Sequence, residues 1–115
     1  VPVPLSAYRL ATRGFNQTEL LFADWTRRQE IPWLNALERL RDTRPQWQLS
    51  PLERRRNIKD AFAVSDPALV KGKTILLVDD ILTTGFTLSE CAKTLKKAGA
   101  KEINALALAS GAVGW

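Results

Sequence analysis

The sequence predicts an α/β domain with an open, mainly parallel sheet flanked by helices. Two apolar runs carry the prediction, residues 75–78 and 103–109. Neither follows the strict apolar–polar alternation of a strand with one wet face, so each reads as a strand covered on both faces. Between them Leu88, Cys91, Ala92, Leu95 and Ala98 fall on one face of a helix. Strand, helix, strand in that order is the building unit of a parallel sheet.

The other elements follow in chain order. Residues 1–5, Val-Pro-Val-Pro-Leu, read as a short strand whose prolines constrain its exit. Residues 16–29 read as a helix, with Leu20, Leu21 and Trp25 as candidate core contacts. Leu34, Leu37 and Leu40 have helical spacing, but the segment is short, and a strand near 36–41 is expected instead. Residues 42–50 read as loop. Ser50-Pro51-Leu52-Glu53 is a capping box with Pro at the first helical position, which predicts a helix over 51–58. Residues 61–64 read as a short strand, 66–72 as a turn and 73–79 as a fully buried strand. The helix over 86–98 is closed by Gly99, and 103–109 is a last buried strand. Residues 110–115 read as a tail in which Trp115 has no evident role.

The 115 residues are 45% hydrophobic, which suits one compact domain with an adequate core. There is no internal repeat and no linker, so 1–115 is read as a single domain. A strand at the first residue suggests a piece of a longer protein. The net charge of +5 favours an anionic partner, whether phosphate, nucleic acid or an acidic protein. The plainer alternative is a solvated basic surface.

The chain has no His and one Cys, Cys91. That excludes Ser-His-Asp and Cys-His nucleophile systems and any Cys/His zinc site within these residues. A single Cys cannot form an internal disulfide, which fits a reducing cytoplasm, and Cys91 reads as a small core residue. No apolar stretch approaches the ~20 residues a membrane-spanning helix needs, so no membrane insertion is expected. Chemistry here must rest on carboxylates, hydroxyls, backbone dipoles and cations, with or without a divalent metal.

The most informative stretch runs from Ile75 to Thr87. Four apolar residues deliver Asp79 and Asp80 to the end of a strand. Adjacent carboxylates repel each other and are costly there unless paired, hydrated or metal-bound. Alone, the pair could be simple polar termination of a strand. Directly after it, however, Thr83-Thr84-Gly85-Phe86-Thr87 presents hydroxyls and backbone N–H groups at a helix N-terminus, where a phosphate binds well. Carboxylates for sugar hydroxyls beside a phosphate cradle suit a phosphorylated ribose. In open parallel sheets ligands sit beyond such strand ends.

Competing motifs fail. Gly72-Lys73-Thr74 ends like a P-loop, but position 67 is Pro67 rather than Gly, and the segment precedes a strand instead of following one. The acidic strand end likewise resembles that of P-loop ATPases, but no phosphate loop accompanies it. No Gly-x-Gly-x-x-Gly dinucleotide fingerprint is present.

The pattern of four apolar residues, two acids, two apolar residues and Thr-Thr-Gly-x-Thr resembles the phosphoribosyl pyrophosphate (PRPP) motif of type I phosphoribosyltransferases. Phe86 stands where a small residue is usual. A second set of residues resembles the competence protein F (ComF) branch, often described as amidophosphoribosyltransferase-like. It comprises residues 1–5, Arg9, Arg13-Gly14-Phe15-Asn16-Gln17, Thr43, Gln46, Leu49-Ser50, Arg56-Asn57 and Ala61-Phe62.

The resemblance implies that Asp79 and Asp80 are the catalytic carboxylates, holding the ribose 2′- and 3′-hydroxyls directly or through Mg2+. Thr83, Thr84, Gly85 and Thr87 would bind the 5′-phosphate, with Phe86 contributing its backbone N–H. The loop from Leu5 to Arg9 would meet the pyrophosphate, with Arg9 and Arg13 as nearby cations. Residues 42–56 match the mobile loop of the family, from which Gln46, Arg55 and Arg56 are candidates for the pyrophosphate. Alternatively, residues 13–17 pack structurally, with Phe15 in the core and Asn16 capping a helix. At least one of Arg54, Arg55 and Arg56 is expected on a solvated helix face.

Members of the family usually carry a cysteine-rich, zinc-binding segment before this domain, so the chain is expected to be truncated at its N-terminus. The implied function is Mg2+-dependent transfer of phosphoribosyl from PRPP to an acceptor the residues do not identify, in the cytoplasm, linked to DNA uptake and natural transformation. The alternatives are a PRPP- or nucleotide-binding module without turnover, and an accessory factor for single-stranded DNA or competence proteins. For the DNA alternative, Trp47 is the best exposed stacking candidate, Trp25 and Trp33 being assigned to the core. An oligomer is compatible with every reading.

Overall fold

The computed structural model describes residues 1–4, 17–40, 49–82 and 85–110, with backbone placement alone at 17–19, 21, 80–82 and 108–110. Its elements are α1 (Gln17–Arg28), β1 (Leu37–Arg39), α2 (Pro51–Ile58), β2 (Phe62–Val64), a 3-10 turn (Pro67–Leu69), β3 (Thr74–Leu82), α3 (Phe86–Lys97) and β4 (Glu102–Ser110).

β3 is the axis of the fold. It pairs in parallel with β4, Thr74 opposite Glu102 and Asp79 opposite Ala107. On its other edge the N-terminal segment runs parallel to it. The Val3 N–H donates to the Val78 carbonyl at 2.9 Å, and the Val78 N–H donates to the Val1 carbonyl at 3.0 Å. Successive N–H groups of an extended chain point to opposite edges, so this ladder uses the donor of Val3 and needs none from Pro2 or Pro4. The prolines are thereby tolerated in a strand-like segment.

The middle of a strand flanked on both edges, with packing on both faces, must be apolar, and Ile75, Leu77 and Val78 are at most 4% exposed. The burial expected over the whole of 73–79 is corrected at its start, where Lys73 and Thr74 lie beyond the packed faces and are exposed, and at Leu76, which is half-buried. Ile75 and Leu77 pack in one cluster with Cys91 and Leu95 of α3. Thr74, Leu76 and Val78 border a cavity of about 200 Å³ shared with Thr26 of α1. Helices therefore flank the sheet as the sequence predicts.

The predicted strand near 36–41 forms as β1 and lies beside the parallel sheet, not in it. It pairs antiparallel with β2, Leu37 opposite Val64 and Arg39 opposite Phe62. Ala36, Leu37, Ala61 and Phe62 from this pair join Ile58 and Val70 in the same core as the sheet.

Helix limits follow local chemistry. The Glu53 N–H donates to the Ser50 hydroxyl at 3.3 Å, and Pro51 opens α2 as the capping box predicts. At the end of α3 the Ala100 N–H donates to the Leu95 carbonyl at 3.1 Å and the Gly99 N–H to the Lys96 carbonyl at 3.0 Å. That is a Schellman closure, and Gly99 takes the positive φ of 105° it requires.

Three further sequence expectations are corrected. Leu20 is 63% exposed and Trp25 40%, so neither is a core contact. The buried stripe of α1 runs instead through Phe22 and Thr26, one helical turn apart. Thr26 tolerates burial because its hydroxyl donates to the Ala23 carbonyl at 3.0 Å. The side chain of Leu21 lies outside the described residues. Lastly, β4 is not fully buried. Ile103 and Ala107 are half-buried, and Asn104, Ala105 and Leu106 are exposed. Among the described residues β4 has a strand partner on one edge only, which is why its apolar run does not mean burial. Also outside the described residues are Phe15, Asn16, Trp47 and the tail 111–115; Trp33 is half-buried.

Candidate functional site

β3 continues past the predicted end, to Leu82, so both acids lie within the strand. Asp79 follows Ile75 and Leu77 on the face that meets α3 and is only 9% exposed. A carboxylate that deep must be satisfied, and Asp79 does take part in polar interactions. Asp80 is placed by its backbone next to it in the strand.

The chain re-emerges at Gly85, whose φ of 81° and ψ of 0° put it in the left-handed region. Gly adopts this conformation at little cost, and as the residue before α3 it supplies no side-chain cap. The first turn of α3, Phe86 and Thr87, is half-buried, and Phe86 packs against the core. The helix dipole adds partial positive charge at this end. The strand end and the helix start thus bring Asp79, Asp80, Gly85, Phe86 and Thr87 into one short stretch of chain between sheet and helix.

Two arginines, one on α2 and one on β1, lie over aromatic rings. The Arg55 guanidinium carbon lies 4.9 Å from the centre of the Phe86 ring, a cation–π distance. Arg56, its neighbour on α2, is exposed, as expected for at least one of the three arginines. Arg39 was not singled out from the sequence. Its Nε donates to the Pro4 carbonyl at 2.8 Å, and its guanidinium carbon lies 4.9 Å from the Phe62 ring centre. The signal for it was weak, because Arg39 sits at the end of a three-residue strand whose pairing partner is distant in sequence.

Cys91 takes no part in chemistry. Burial pushes its thiol far above the usual range; Arg39 works in the other direction, and Asp79 and Glu90 add to the rise. It is a neutral core side chain at physiological pH.

Arg9, Arg13, Gln46, Thr83 and Thr84 lie outside the described residues. Among the described residues no group of three or more His, Cys, Asp or Glu side chains converges to hold a metal on its own. None of the described helices is long and apolar enough to cross a membrane. The 200 Å³ cavity borders the first half of β3, and a second of about 170 Å³ lies between Phe62, Glu90 and Lys97; neither contains Asp79 or Gly85.

Residues 8–115 match the phosphoribosyl transferase domain. The chain is 41% identical to competence protein F of Haemophilus influenzae, over 95% of its own length and 48% of that protein. It is 40% identical to the DNA utilization protein YhgH of Escherichia coli K12, over 90% of its length and 45% of that protein. With competence protein ComFC of Streptococcus pneumoniae the identity is 37%, over 94% and 46%. The chain thus spans about half the length of these curated relatives. No solved structure matches it. Motif, parallel sheet and relatives agree, and the chain belongs to the phosphoribosyl transferase domain family, in its competence protein F-like branch.

Proposed function

We propose that this domain binds PRPP with Mg2+ and transfers its phosphoribosyl group to an acceptor, in a cytoplasmic step linked to DNA uptake. The observation that carries the reading is the run from a buried Asp79 at the sheet to a left-handed Gly85 that opens α3. Carboxylates and a phosphate-accepting helix start within one turn of chain match the two ends of a ribose 5-phosphate.

In this mechanism Asp79 and Asp80 hold the ribose 2′- and 3′-hydroxyls, and their charge favours the positive charge that develops on the ring as pyrophosphate departs. Thr83, Thr84 and Thr87 give hydroxyls to the 5′-phosphate, and Gly85 and Phe86 give backbone N–H groups. Fixing the phosphate end orients C1 toward the nucleophile. Arg9, Arg13, Gln46, Arg55 and Arg56 are assigned to the pyrophosphate side. The oxygen-only donor set of Asp79 and Asp80 fits Mg2+, which is commonly bound by one or two carboxylates together with substrate phosphates. Bound there, Mg2+ would offset the negative charge of the pyrophosphate.

Calorimetric titration of PRPP, with and without Mg2+ and with ribose 5-phosphate as control, tests the reading. Mg2+-dependent binding is expected, and the Asp79→Asn, Asp80→Asn double variant should abolish it without unfolding. Unchanged binding in that folded variant would defeat the site assignment.

A second reading has support in the relatives' names, competence and DNA utilization, and in the net charge of +5. It makes the domain a binder of single-stranded DNA. Affinity for an oligonucleotide should then fall steeply with salt; a flat response would count against it.

A further inference from the structure

We infer that the Phe86 ring holds the Arg55 guanidinium beside the phosphate turn, where Arg55 adds its charge to the binding of the ligand's 5′-phosphate. The inference rests on the PRPP reading and deepens it, moving Arg55 from the pyrophosphate side to the opposite end of the ligand.

Phe86 is the first residue of α3, immediately after Gly85. Phe86 packs against the hydrophobic core, and the Arg55 guanidinium carbon lies over its ring, 4.9 Å from the ring centre. The ring is therefore an anchored platform. A guanidinium held over a ring keeps the N–H groups that do not face the ring available for hydrogen bonds to a phosphate.

A second contact keeps α2 in place. The Asp60 N–H donates to the Glu90 carboxylate at 3.0 Å, one turn further along α3. Asp60 itself adopts a φ of 56° just after α2. The helix that carries Arg55 is thus tied to α3 at both the ring and the carboxylate. Arg55 is exposed, so holding its charge there carries little desolvation cost. Among the described residues Arg56 has no ring of this kind, and the contrast separates a held cation from an exposed one.

The test is titration of ribose 5-phosphate and of PRPP, each with Mg2+, into the wild type and the variants Arg55→Ala, Arg55→Gln, Phe86→Leu and Phe86→Tyr, with melting curves to confirm folding. Ribose 5-phosphate has no pyrophosphate, so it reports the 5′ end alone. Arg55→Ala, Arg55→Gln and Phe86→Leu should each weaken both ligands by a similar factor, about tenfold, as expected for one charge-assisted contact. Phe86→Tyr, which keeps the ring, should retain affinity.

Loss of PRPP affinity alone would put Arg55 on the pyrophosphate side and overturn the inference. So would unchanged affinity for both ligands in the folded Arg55 variants, which would make the stack purely structural. Full affinity in Phe86→Leu alongside weak binding in Arg55→Ala would remove the ring from the role. A folded wild type that binds neither ligand would defeat the PRPP reading itself, and this inference with it.

Discussion

The parallel unit and the small antiparallel unit are built by different means. Residues 74–110 form strand, helix and strand in unbroken succession, and each element packs on its neighbour in sequence. The β1–β2 pair joins residues some distance apart, with Arg39 opposite Phe62 and α2 between them. The first unit is held by continuous apolar burial. The second shares that core through Leu37, Ile58 and Phe62 and adds directional contacts, a cap on α2, an arginine on a ring and single hydrogen bonds. Substitutions should therefore be costly where either unit meets the core and graded at the directional contacts of the second.

The largest effect should come from Leu77→Ala. Leu77 is fully buried at the centre of β3, against Cys91 and Leu95. Truncation removes buried methyl groups and leaves a cavity that a paired strand cannot collapse to fill, at about 3 kcal/mol. Urea unfolding should show the loss as a lower midpoint. Leu52→Ala in α2, where Leu52 is 57% exposed, should cost less than ~0.5 kcal/mol. Comparable losses at the two positions would mean the parallel unit is not the stable core.

Arg39 joins the two units. It reaches from β1 to the Pro4 carbonyl and stacks on Phe62 of β2. Arg39→Ala should cost about 2 kcal/mol, because it removes a charged donor from a partly buried carbonyl and a cation from a ring. Arg39→Lys keeps the charge without the planar fork and should recover only part of this. Full recovery in thermal melts would show that charge alone matters there.

The same contrast explains what was legible in the sequence. The β3–turn–α3 segment was readable because its signals are local: an apolar run, two acids, Thr and Gly, then a helical stripe. The limits of α2 were readable because Ser50, Pro51 and Glu53 settle them among themselves. What was missed depends on distant residues. Leu20 and Trp25 looked like core because they are apolar, but the rotation of α1 is decided by what it packs on, and Phe22 and Thr26 face inward. The apolar run of β4 resembled that of β3, yet burial depends on how many neighbours a strand has. Arg39 could not be recognised without the pairing that brings it to Pro4 and Phe62. Within the candidate site, the Asp and Thr-Gly residues stand out by their spacing, whereas the contact of Arg55 with the Phe86 ring arises from the packing of two helices separated by β2 and β3.

Gly99→Ala tests closure of the parallel unit at its periphery. The φ of 105° is unfavourable for a residue with a Cβ, and that Cβ would lie 3.3 Å from Cγ of Lys71. Lys71 is exposed and can shift, so backbone strain should dominate, at about 1 kcal/mol. A chemical denaturation midpoint would register this, and an unchanged midpoint would mean that the Schellman closure adds nothing to the stability of α3.

Among the substitutions that remove a specific contact, the smallest effect should be that of Ser50→Ala, in the antiparallel unit. The Ser50 hydroxyl satisfies the Glu53 N–H at an exposed helix start, and water can replace it in part. The expected cost is about 0.5–1 kcal/mol, near the limit of a thermal melt. Its informative consequence is local, because α2 carries Arg55 to the Phe86 ring. Fraying the first turn of α2 should leave Arg55 largely in place, since Arg55 lies in the second turn and its carbonyl accepts from the Lys59 N–H at 3.2 Å. Ser50→Ala should therefore lower stability slightly and leave ribose 5-phosphate affinity unchanged. If affinity fell along with stability, the cap would be shaping the site through α2, and the two units would be more tightly coupled than their separate sheets imply.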